Sequence, residues 1–279
     1  MRILVGFDGS EGGRDALELA RVMAEATGAG LLVATVLPYG PLPIPYELLE
    51  EEEAERARPL LDEARRRLDG LEVETRAFGG GTPAGVLNDL AERERIDTIV
   101  VGSPHRGPVG RVLLGSVADG LLHGAPCEVL TAPRGYAAEE RGPFRTIALA
   151  YDETAEAKAA LKRAEAIALA SRATIVVYTV AAPIAVVPGA AGYTPEIPPE
   201  AGPIVTRAVK SVDERLAATG RVLAGRPSSA LAEACEEVGA DLLVAGSRGS
   251  GALARVFLGS VSTELMHKAP CPILVVPRP

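Results

Sequence analysis

Apolar positions along the chain fall into short solid runs separated by longer segments with a period near 3.6. In the first half, residues 3–7, 31–37, 72–78, 98–101 and 128–131 read as strands. Between them, 14–26, 47–68, 83–93 and 112–122 read as helices. Leu17, Leu19, Ala20 and Met23 gather toward one side of the first helix. The second is dense in charge, which predicts a solvated face, and Pro59 is a candidate kink. Pro83 stands near the start of the third, where its missing N–H is tolerated. The run at 98–101 is almost wholly apolar, as expected of a strand covered on both faces.

The second half repeats the first at an offset of 144 positions. Asp8 falls on Asp152, Leu17 on Leu161, Val36 on Val180, Pro83 on Pro227 and Asp97 on Asp241. Leu114-Gly115-Ser116-Val117 falls on Leu258-Gly259-Ser260-Val261, and Ala125-Pro126-Cys127 on Ala269-Pro270-Cys271. One offset held from first strand to last identifies a duplicated module. The strands of the copy fall near 146–150, 174–180, 221–223, 242–245 and 273–276. Alternation of strand and helix predicts a parallel sheet with helices on both faces. The fold class is therefore α/β, two tandem doubly wound modules of five parallel strands each. They are expected over 1–138 and 144–279, joined within 134–145. Residues 128–133 and 273–277 are candidate edge strands through which the modules pair as a pseudo-dimer. The segment 181–203, rich in Pro, Gly and Ala, is long for a connection and reads as a mobile loop or a contact surface.

Composition narrows the function. The 279 residues carry a formal charge of −8, which argues against a broad phosphate-tracking surface and hence against nucleic acid as a partner. A small anion site made of backbone N–H groups remains compatible with that charge. The apolar stretch from 175 to 187 is too short to span a membrane and is broken by Pro183. The first residues carry no signal-peptide run, so the expected location is cytoplasmic. Cys127, Cys235 and Cys271 lack metal-ligand spacing and read as small buried residues.

In open α/β sheets ligands sit beyond the carboxyl ends of the strands. Three segments per module lie there. The richest follows the fourth strand: Gly246-Ser247-Arg248-Gly249, nine residues, then Gly259-Ser260. The early glycines allow a sharp turn and close approach of bare backbone to a ligand. Gly259-Ser260 stands near a helix start, where unpaired N–H groups favour a phosphate. In the first module the same stretch reads Gly102-Ser103-Pro104-His105, nine residues, then Gly115-Ser116. His105 replaces the second glycine, so its Cβ crowds the turn or its imidazole donates to phosphate. The intact pattern makes the second site the favoured one, and binding at both stays open. Asp8 and Asp152 follow the first strands, as helix caps or as metal or ribose ligands. His123 and His267, each at a helix end, read as structural.

Glycine, two residues, glycine, nine residues and Gly-Ser, with the Asp after the first strand and the closing Ala-Pro-Cys, resembles the universal stress protein family over essentially the whole chain. That resemblance implies the adenine-nucleotide α-hydrolase-like sheet and ATP, AMP or ADP as ligand. In the second module it implies contacts from Ala150, Tyr151, Asp152, Val180, Ala245, Gly246, Arg248, Gly249, Gly259, Ser260, Val261 and Ser262. In the first it implies Gly6, Phe7, Asp8, Val36, Val101, Gly102, His105, Gly115, Ser116 and Val117. Asp8 and Asp152 would then face the phosphates, with Mg2+ or Mn2+ between. The same likeness implies a stress-response regulator and leaves a homodimer of the whole chain open. No Gly-Lys-Ser/Thr P-loop and no Ser/His/Asp arrangement is present, so an enzyme reading reduces to a slow ATPase. A nucleotide-free, partner-binding module is the remaining alternative.

Overall fold

The apolar runs become strands because each is covered by helices on both faces, and the periodic segments become those helices. In the first half the order is β1 (Arg2–Gly6), α1 (Glu11–Thr27), β2 (Gly30–Leu37), α2 (Tyr46–Arg67), β3 (Val73–Gly79), α3 (Pro83–Glu94), β4 (Thr98–Gly102), α4 (Ser116–Leu122) and β5 (Glu128–Ala132). A 3-10 turn at Tyr136–Ala138 follows. The second half supplies β6 (Thr146–Ala150), α5 (Ala155–Ser171), β7 (Thr174–Ala181), α6 (Ala201–Ser211), β8 (Ala218–Ala224), α7 (Pro227–Val238), β9 (Leu242–Gly246) and β10 (Ile273–Val276). This computed structural model describes residues 1–37, 46–103 (backbone only for 46–54), 115–181, 199–247, 264–265 and 268–278.

All ten strands form one sheet in the order β3-β2-β1-β4-β5-β10-β9-β6-β7-β8. Pairing within each half is parallel. The halves meet where β5 runs antiparallel to β10, with Thr131 opposite Ile273, Leu130 opposite Leu274 and Val129 opposite Val275. Like strands meeting antiparallel is what a two-fold axis between copies produces. The expected edge strands thus cover each other inside one chain. Two apolar layers lie on opposite faces of the sheet, and each runs through both halves. One joins Phe7, Leu17 and Met23 to Ile147, Leu161 and Ile167. The other joins Leu4, Leu87 and Ile99 to Tyr178, Leu231 and Cys235. All three cysteines are buried, as expected. Among the described residues, no helix is long and apolar enough to cross a membrane.

Several boundaries differ from the sequence reading for local reasons. Gly115 is extended (φ −94°, ψ 168°) as the N-cap of α4, so the helix starts at Ser116 and not at 112. α6 opens at Ala201, two residues before Pro203, because proline is tolerated in a first helical turn. The 181–203 loop is shorter to that extent, and 182–198 lie outside the described residues. β8 begins at Ala218, earlier than its apolar residues, because backbone pairing with β7 extends it. In α2, Ala57, Leu61 and Ala64, continued by Leu68 just past its end, form the buried stripe beneath the charged face.

The junction is pinned by polar groups. The Asp15 carboxylate, 2% exposed, accepts from the N–H groups of Gly135 (2.8 Å) and Ala137 (2.7 Å). Arg163 of α5 reaches across to Glu128 of β5 at 2.8 Å, and Glu128 also accepts from the Thr98 hydroxyl. Burial still raises the Glu128 carboxyl above its ordinary range, against the pull of Arg163.

Candidate functional site

In each half the first strand lies between its neighbours at the point where the strand order reverses, which opens a crevice at the carboxyl ends. Backbone pairing sets the crevice walls. The Phe7 N–H donates to Ala34 at 3.0 Å and the Tyr151 N–H to Tyr178 at 2.8 Å. The first crevice is a cavity of about 300 Å³. Its apolar side is Ala34, Val36, Leu87 and Val101; Asp8, Ser10, Gly115, Ser116 and Val117 line it too. The second holds about 100 Å³ between Tyr151, Asp152, Glu156, Tyr178, Val180 and Ala245.

Every described residue expected at the first site lines that cavity: Gly6, Phe7, Asp8, Val36, Val101, Gly102, Gly115, Ser116 and Val117. At the second, Ala150, Tyr151, Asp152, Val180, Ala245 and Gly246 come together in the same way. His105, Arg248, Gly249, Gly259, Ser260, Val261 and Ser262 lie outside the described residues.

The glycine after the fourth strand has a reason other than the one read from the sequence. Neither Gly102 nor Gly246 has a positive φ. A Cβ on Gly102 would sit 1.8 Å from the Gly12 carbonyl oxygen, and one on Gly246 would meet the Glu156 backbone at 2.7 Å. The bare backbone therefore accommodates the first turn of α1 or α5. The next N–H in each case is consumed by the sheet, from Ser103 to Ala132 (3.1 Å) and from Ser247 to Val276 (2.8 Å). The opening of α4 also lines the first cavity, and there Gly115 offers no side chain to cap the helix.

The capping reading of Asp8 and Asp152 needs a similar correction. The caps are Ser10, whose hydroxyl accepts from Gly13 N–H, and Thr154, which accepts from Ala157 N–H. Asp8 accepts from the Ser10 N–H at 2.9 Å. Asp152 accepts from the Thr154 hydroxyl at 2.6 Å. Each aspartate buttresses the cap and keeps its carboxylate at the cavity rim. Among the described residues, no three His, Cys, Asp or Glu side chains cluster as a metal site.

Sequence reasoning missed Ala34, Leu87 and Gly12 in the first cavity and Tyr178, Leu231 and Glu156 in the second. For two of these pairs the signal lies in where the two copies differ: at the repeat offset, Ala34 corresponds to Tyr178 and Gly12 to Glu156, while Leu87 and Leu231 are the same residue.

The profile described as the universal stress protein family matches residues 1–133 and again 143–277. A universal stress protein of Mycobacterium tuberculosis is 30% identical, covering 99% of this chain and 100% of the relative. One from Thermus aquaticus is 37% identical over 48% of this chain and 98% of its own length. A solved universal stress protein from Archaeoglobus fulgidus superposes with a TM-score of 0.75 at 23% identity, covering 99% of this chain and 96% of that one, a likeness of fold.

Proposed function

Since the chain belongs to the universal stress protein family, we propose that it binds an adenine nucleotide (ATP, or AMP or ADP) at the carboxyl ends of its strands, as a cytoplasmic regulator in a stress response. The observation that carries this reading is the first cavity. Its volume of about 300 Å³ reaches the lower end of the range for small-molecule pockets, roughly 300–1,000 Å³. An apolar wall of Ala34, Val36 and Val101 suits a base, and the opening of α4 with Ser116 suits phosphate oxygens. A net charge of −8 is no obstacle, because those donors are backbone dipoles.

A divalent cation is compatible with this rim. Mg2+ is commonly held by one or two carboxylates together with substrate phosphates, and Asp8 supplies one such carboxylate. Bound there, Mg2+ or Mn2+ would neutralise phosphate charge. What the chain itself contributes is an oriented Asp8, held by the Ser10 N–H.

Calorimetric titration of the whole chain with ATP and with GTP tests the reading. ATP is expected to saturate and GTP to bind about tenfold or more weaker, a gap of ~1.4 kcal/mol. Absence of ATP binding returns the protein to a nucleotide-free, partner-binding role. Phosphate release over many turnovers would mark it instead as a slow ATPase.

A further inference from the structure

The two crevices occupy matching places in the repeat, yet they differ in residues that line or flank them. At the floor, Ala34 of β2 corresponds to Tyr178 of β7. The Tyr178 side chain is fully buried beneath α7, its hydroxyl 3.4 Å from the Ala234 carbonyl. Burial pushes its phenol up to about 12. At the side, Gly12 of α1 corresponds to Glu156 of α5. Gly12 presents no side chain, whereas the mostly buried Glu156 carboxylate lines the second crevice, 3.5 Å from Arg278. A third difference lies at the turn after the first strand. Gly9 becomes Glu153, which holds a left-handed backbone (φ 63°) and pairs with Arg207 at 2.8 Å.

The consequences run in one direction. The first crevice holds about 300 Å³, and the second, with Tyr178 in its lining, about 100 Å³. That is well below the roughly 300 Å³ at which small-molecule pockets begin. Glu156 and Asp152 line this crevice with two carboxylates, Glu156 being paired with Arg278, and negative charge there disfavours a polyphosphate. Resting on the adenine-nucleotide reading above, we infer that the chain holds one nucleotide, in the first module, and that Tyr178 with Glu156 closes the second. This reverses the order expected from the glycine pattern. The intact Gly246-Ser247-Arg248-Gly249 spacing carries no information about Tyr178, which lines the second crevice from β7.

The test counts ATP per full-length chain by equilibrium dialysis and locates it by photolabelling with 8-azido-ATP followed by peptide mapping. One ATP per chain, with label confined to residues 1–133, is the expected result. Val36→Trp, a large group at a half-buried wall position of the first cavity, is expected to weaken that binding about tenfold or more. The double variant Tyr178→Ala, Glu156→Gly is expected to raise the count to two, its melting curve reporting that the chain remains folded. Two ATP on the wild-type chain, label within residues 143–277, or a folded double variant still holding one, would each overturn the inference. No ATP on the wild-type chain removes the adenine-nucleotide reading as well, which separates the two failures.

Discussion

Gly102 and Gly12 face each other across a gap with no room for a methyl group. A Cβ on either would lie about 2 Å from a backbone oxygen of the other segment (1.8 Å from Gly12, 2.2 Å from Ser103). Neither backbone can yield without moving α1 off β4. Gly102→Ala is therefore expected to cost roughly 1–3 kcal/mol or more, the usual range for overpacking, read as a lower urea midpoint. Gly28→Ala, at φ 67° with nothing within 4 Å, should cost about 1–2 kcal/mol through backbone strain alone. The sequence marked position 102 as special for a ligand because glycine after a strand reads the same whether it faces a phosphate or a helix. Asp8 was legible as a residue of the rim, but its role was not, since an Asx-type bond to Ser10 and a direct helix cap differ only in which N–H is accepted.

Among the elements, α2 shows how charge and burial divide. Its charged face is readable from the sequence, yet the groups tying it to α1 are not. Arg14 bonds Glu63 at 2.6 Å, and Arg67 bonds the same carboxylate at 3.0 Å. The Arg14 guanidinium is the main cause holding the Glu63 carboxyl below its ordinary value of 4.5. A carboxyl depressed on folding stabilises above that value, and the gain is lost as pH falls through the folded one. Wild type is expected to exceed Glu63→Gln in stability by up to about 1 kcal/mol at neutral pH, a partly exposed pair being screened by solvent. The two should converge as pH falls from 4.5 through the lower folded value of Glu63, checked by urea unfolding at several pH values. Strand and helix identities were legible almost throughout, because periodicity depends only on neighbours along the chain. The starts of α4, α6 and β8 were not, since cap geometry and backbone pairing decided them.

Across the whole molecule, the antiparallel β5–β10 seam and the two continuous apolar layers make the modules one cooperative body. Calorimetry is expected to give a single thermal transition whose van't Hoff and calorimetric enthalpies agree. Two resolved transitions would show modules that fold apart. Read alone, the sequence determined the duplication, the α/β class, the five strands of each module and the family likeness, because these follow from composition, period and offset. Only the tertiary structure decided the antiparallel sense and register in which the two edges meet, that glycines at 102 and 246 serve helix packing, and that the two crevices differ in volume. The reason is physical: a pocket is the space that side chains from distant strands and helices leave unfilled, and no single stretch of sequence encodes that remainder.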